Sequence, residues 1–125
     1  MPAEATDSPL HNHLVKRGNI NVSSTEAPSS VYYELYGTGP DKLVFINGMR
    51  ADRQMWEPVV QEFLAHPRYQ CLVYDHRGSG YSDKIGGPLS YTSSALAADT
   101  KRLIDALGWD QVNIIGASMG GMVAL

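Results

Sequence analysis

A serine set among glycines carries the clearest chemistry in these 125 residues: Gly116-Ala117-Ser118-Met119-Gly120-Gly121, directly after the apolar run Val112-Asn113-Ile114-Ile115. The G-x-S-x-G pattern after a β-branched run predicts a strand turning sharply into a helix with the serine at the apex, a nucleophile elbow. The chemistry is nucleophilic. A serine hydroxyl at its free pKa attacks poorly, so it must be held where a base reaches it. Gly116 and Gly120 let strand and helix pass close together. A helix opening at Ser118 aims its free N–H groups and positive dipole end where an oxyanion forms during acyl transfer.

Elements must exist to hold that serine, and the rest of the chain supplies the pattern for them. Leu43-Val44-Phe45-Ile46-Asn47-Gly48-Met49 reads as a buried strand ending at a glycine, and Leu72-Val73-Tyr74-Asp75 as another, followed by the polar turn His76-Arg77-Gly78-Ser79-Gly80-Tyr81-Ser82-Asp83. Between them Trp56, Val59, Val60, Phe63 and Leu64 recur at helical spacing; Pro58 is tolerated in the first turn, and His66-Pro67 ends the helix. Leu96, Thr100, Leu103 and Leu107 make a second stripe, opened by a cap at Thr92 or Ser93 and closed by Gly108. Asn19 to Val22 and Val31 to Tyr36 are expected to pair as a hairpin. Apolar strands alternating with amphipathic helices from Lys42 onward imply parallel strands joined by right-handed crossovers. Ligands of such sheets gather beyond the carboxyl ends of the strands, where Met49, His76 and Ser118 are expected.

With Tyr33-Glu34-Leu35-Tyr36-Gly37-Thr38-Gly39-Pro40 leading in, the order and spacing of these motifs resemble the amino-terminal half of the α/β-hydrolase fold family, from about Gly18 to Leu125. The resemblance implies an α/β fold: a β-hairpin followed by parallel βαβαβ ending at the elbow. It implies Ser118 as nucleophile, with the Met119 and Met49 backbone N–H groups as the oxyanion hole. The family usually carries His-Gly where this chain has Asn47-Gly48; a hole built of backbone N–H groups tolerates that change. Asp75-x-Arg77-Gly78-x-Gly80-x-Ser82 resembles a family signature of architectural character. Hydrolysis of an ester, lactone or related small acyl substrate through an acyl-enzyme is the implied activity. It requires no metal and no organic cofactor. Acyl transfer and carbon–carbon bond hydrolysis on the same fold stay open, whereas serine at the apex argues against relatives with an aspartate there, such as epoxide hydrolases and haloalkane dehalogenases.

In this family an acid and a histidine follow the serine, and neither type occurs after Ser118. The expectation is therefore a fragment: residues 1–17 a flexible amino-terminal arm, and residues 18–125 the first half of a hydrolase domain. Its expected partners are a complementing carboxyl-terminal half or a second copy meeting an exposed sheet edge. A catalytically incompetent chain acting only with such a partner, or as an interaction module, is the alternative. The four histidines are all upstream. His11 and His13 read as solvated side chains short of a third metal ligand, and His66 as a helix-end residue. His76 borders the expected cleft, where a structural task in its turn is expected over service as a substitute base. Asp75 beside it makes a poor dyad, since successive strand residues point to opposite faces.

Ten basic against thirteen acidic residues, a net charge of −3, offer no electrostatic footprint for nucleic acid. Gly78-Ser79-Gly80 lacks the third glycine of a dinucleotide fingerprint, and no P-loop lysine follows Gly120-Gly121. With no secretory apolar region and no run long enough to span a bilayer, a cytoplasmic location is expected. The lone Cys71, inside Tyr69-Gln70-Cys71-Leu72-Val73, reads as a small buried hydrophobe. Met49, Met119 and Trp56 fit either an apolar acyl site or core packing.

Overall fold

The computed structural model describes residues 10–21, 30–47, 53–76 and 93–117. They form five strands: β1 (Leu14–Asn21), β2 (Ser30–Tyr36), β3 (Asp41–Ile46), β4 (Tyr69–Tyr74) and β5 (Asn113–Gly116). Two helices accompany them, α1 (Glu57–Leu64), entered through the 3₁₀ turn Arg53–Trp56, and α2 (Ser93–Ala106).

The strands lie side by side in the order β1-β2-β4-β3-β5. β1 and β2 form the expected antiparallel hairpin, β2 meets β4 antiparallel, and β3 runs parallel to both β4 and β5. The first crossover passes from β3 to β4 and the second returns past β3 to β5. Two crossovers of one hand travelling in opposite directions put their helices on opposite faces. That is where they pack. On one face Trp56, Val60 and Leu64 cover Tyr36, Leu43, Phe45, Cys71 and Val73. On the other, Leu96 and Leu103 cover Tyr33, Leu35, Val44, Ile46, Leu72 and Tyr74. The continuous apolar runs of β3 and β4 follow from this arrangement, because each strand needs a dry residue at every position.

Two particulars differ from the sequence reading. β1 begins at Leu14, so residues 14–17, expected within a flexible arm, belong to the hairpin. Leu10 is buried against the Phe45–Trp56 side of the core, and the His13 carbonyl accepts the Gly37 N–H at 2.9 Å, which holds the chain down before the strand starts. Exposed Lys16 and Arg17 along this edge strand had disguised it. Val59 turns outward from α1, leaving Trp56, Val60 and Leu64 at four-residue spacing as the buried stripe. Gly108 closes α2 as expected, at φ +74°: its N–H reaches the Asp105 carbonyl and that of Trp109 the Ile104 carbonyl, the paired bonds of a Schellman end. Thr92, the alternative cap, lies outside the described residues.

Candidate active site

The carboxyl ends of β3, β4 and β5 bring together Asn47, Asp75, His76 and Ala117. β3 and β5 are in parallel register, Ile46 opposite Gly116, and the Ala117 N–H donates to the Ile46 carbonyl at 3.2 Å. Gly116 therefore sits at the strand end where the elbow was expected. Ser118, Met119, Gly120 and Met49 lie outside the described residues.

Asn47, fully buried, is a three-way junction. Its side-chain amide donates to the Tyr74 carbonyl at 2.9 Å and accepts from Trp56 Nε1 at 2.6 Å. An indole nitrogen only donates, so the amide oxygen must face Trp56, which settles the orientation of the group. The Asn47 main-chain carbonyl lies 3.2 Å from His76 Nε2. A carbonyl only accepts, so the imidazole carries its proton on Nε2. Trp56, read as either acyl-site lining or packing, is a core residue: it packs on Phe45 with ring centroids 5.2 Å apart and ties α1 to Asn47.

His76 is 2 % exposed and lies edge-on against Tyr74, centroids 5.2 Å apart. Burial lowers its pKa below the usual imidazole value, favouring the neutral ring, and the Asn47 carbonyl and the Asp99 and Asp75 carboxylates only partly oppose this. Nδ1 has no hydrogen-bond partner among the described residues. Tyr74 is in turn held from α2. The Thr100 hydroxyl gives its proton to the Leu96 carbonyl at 2.9 Å, so the Tyr74 hydroxyl, 2.6 Å away, is the donor of that pair.

A buried charge cluster stands beside these residues, and the sequence reading missed it. Arg53 Nη1 is 2.8 Å from Asp75 Oδ2 and Nε 3.1 Å from Glu34 Oε2, while the Arg53 backbone N–H donates to Asp75 Oδ1 at 2.8 Å. The Tyr32 and Tyr36 hydroxyls donate to the two oxygens of Glu34 at 2.7 and 2.8 Å, and the guanidinium lies over the Tyr32 ring. Burial works against the charge on Arg53, yet Asp75 and Glu34 outweigh it and raise its pKa. Asp75 thus faces Arg53, in keeping with its being no dyad partner of His76. Glu34 left a trace in the sequence, a charge with tyrosines two residues away on either side and hence on one strand face. Arg53 left none.

Cys71 is fully buried, and burial pushes its thiol up to about 12, an inert hydrophobe as expected. Among the described residues no three metal-ligating side chains converge, and no helix is long and apolar enough to cross a membrane.

Comparison with known proteins agrees with this geometry. The family described as alpha/beta hydrolase fold matches residues 41–125. The chain is 33% identical over 97 residues to the provisionally named carbamate hydrolase RutD of Azorhizobium caulinodans, covering 78% of this chain and 35% of that protein. It is 36% identical over 90 residues to 3-oxoadipate enol-lactonase 1 of Acinetobacter baylyi, covering 70% and 32%. Among solved structures it is similar to a bromoperoxidase from Bacillus anthracis, with TM-score 0.77 and 28% identity over 87% of this chain and 37% of that one. An epoxide hydrolase from Vigna radiata shares the fold at TM-score 0.78 and 22% identity, over 90% and 34%. The chain spans about a third of the length of the curated relatives it matches. On its family match, its mixed sheet and the register at the β3 and β5 ends, the chain belongs to the alpha/beta hydrolase fold family.

Proposed function

We propose that this chain carries the nucleophile and oxyanion hole of a serine hydrolase acting on an ester, lactone or related acyl compound. The observation that carries the reading is the pairing of Ile46 with Gly116, reinforced by the Ala117 N–H on the Ile46 carbonyl. It joins the strand end leading to Met49 with the strand end leading to Ser118. A lactonase and a carbamate hydrolase among the relatives fit acyl chemistry.

In this reading Ser118 Oγ attacks the acyl carbon as its proton passes to a base, and the oxyanion forms against the Met49 and Met119 N–H groups. Collapse expels the alcohol, amine or enol, which takes up the proton. The same base then activates water to release the acid and restore the serine. His76 does not suit the part of that base, since it is 2 % exposed and its Nε2 is held by the Asn47 carbonyl in place of an orienting carboxylate. An acid and a histidine from outside these 125 residues are proposed to complete the triad.

A fluorophosphonate probe tests the reading on the intact protein. Modification at Ser118, abolished in Ser118→Ala, is the expected result. A wild-type protein that hydrolyses acyl esters while Ser118 stays unlabelled would overturn it.

A further inference from the structure

The Glu34–Arg53–Asp75 cluster lies at the same strand ends, yet the acyl-transfer reading gives it no part. Three charges with a net of −1 are held almost dry: Arg53 is 4 %, Glu34 5 % and Asp75 0 % exposed. Isolated buried charges are costly, and a cluster like this stabilises little against an apolar core of equal volume. Its geometry does something else.

Asp75 grips Arg53 twice, one carboxylate oxygen on the backbone N–H and the other on the guanidinium. Since Arg53 opens the 3₁₀ turn that runs on into α1, the carboxylate also sits where the free N–H groups and the dipole of that helical stretch favour a negative charge. Glu34, steered by two tyrosine hydroxyls, holds the other side of the guanidinium. Asn47, at the opposite end of the five-residue segment 48–52, is fastened to the Tyr74 carbonyl, one residue before Asp75. Both ends of that segment are thus pinned to consecutive residues at the end of β4. Met49 lies in between.

We infer that Arg53 is a positioning residue, gripped by Asp75 and Glu34 so that the segment carrying the Met49 N–H starts and ends at fixed points at the carboxyl ends of β3 and β4. The inference rests on the acyl-transfer reading above. The oxyanion exists only after attack, so a displaced donor lowers turnover and leaves ground-state binding nearly unchanged.

Two variants test this without stranding a charge. Arg53→Lys keeps the positive charge and loses the planar fork that spans both carboxylates. Asp75→Asn leaves Arg53 balanced by Glu34 alone and removes one of the two grips. The readouts, on the intact protein, are p-nitrophenyl acetate hydrolysis, the affinity of an alkyl boronic acid as transition-state mimic, and the melting temperature. For both variants kcat is expected to fall about 10- to 100-fold with KM within about threefold, the boronic acid weakening in step with kcat. A folded Arg53→Lys protein with wild-type kcat overturns the inference. Should Arg53→Lys not fold, unchanged kcat in Asp75→Asn overturns it, and so does a loss in either variant that falls on KM alone. Failure of Ser118 to label in the wild-type protein is a separate outcome, which removes the acyl-transfer reading and this inference with it.

Discussion

At the level of single residues, the site region is organised by side chains with one available role each. An indole that can only donate turns the Asn47 amide, and a carbonyl that can only accept assigns the His76 proton to Nε2. Burial of His76 gives stability a pH dependence. Its folded pKa is lowered by burial, so below about pH 6.5 the unfolded chain takes up a proton that the folded one refuses. Stability is full above that pH and declines as pH falls toward the depressed folded value. Denaturant titrations of the intact protein at a series of pH values should show this slope, and His76→Gln, which keeps a donor for the Asn47 carbonyl, should flatten it. An unchanged slope would mean that carboxylates elsewhere set the acid sensitivity.

Between elements, close approaches of backbone decide where strands turn. The β2–β3 connection Gly37-Thr38-Gly39 passes against the start of β4: Gly37 has φ +82°, and a Cβ on Gly39 would collide with the carbonyl of Arg68. Backbone cannot yield there as a flexible side chain would, since Gly39 N–H and Asp41 N–H are both bonded to carbonyls of that stretch. Gly39→Ala is expected to cost more than about 2 kcal/mol, the range of a strained backbone contact. A Gly39→Ala chain melting with the wild type would show that the two segments separate more easily than drawn. By contrast the exposed Arg68–Asp41 and Lys101–Asp105 pairs sit in water and should matter little to stability.

For the molecule as a whole, β4 is the shared wall of two cores. Leu72 and Tyr74 face α2 while Cys71 and Val73 face α1, and all four are buried. Leu103 of α2, fully buried, closes one of these cores. Leu103→Ala is predicted to destabilise by about 2–5 kcal/mol through lost burial and the cavity left behind. Val59→Ala, on the exposed side of α1, should change stability by no more than about 0.5 kcal/mol. Urea denaturation of the two variants checks the contrast; equal losses would contradict the division of faces.

Residues near one another in sequence determined the element types, the burial of β3 and β4, the Gly108 stop and the family motifs, because periodicity, turn chemistry and small-residue spacing are local properties. The spacing of Tyr32, Glu34 and Tyr36 is equally local, yet it marks a polar strand face without naming what that face meets, and the cluster went unread. Tertiary structure alone decided that β4 lies between β2 and β3, that Leu14 already belongs to a strand, and that Glu34, Arg53 and Asp75 meet. Each of these turns on which distant segment supplies the missing hydrogen bond or counter-charge. A buried charge demands a partner without naming it, and only the folded chain, by bringing strand ends together, makes the choice.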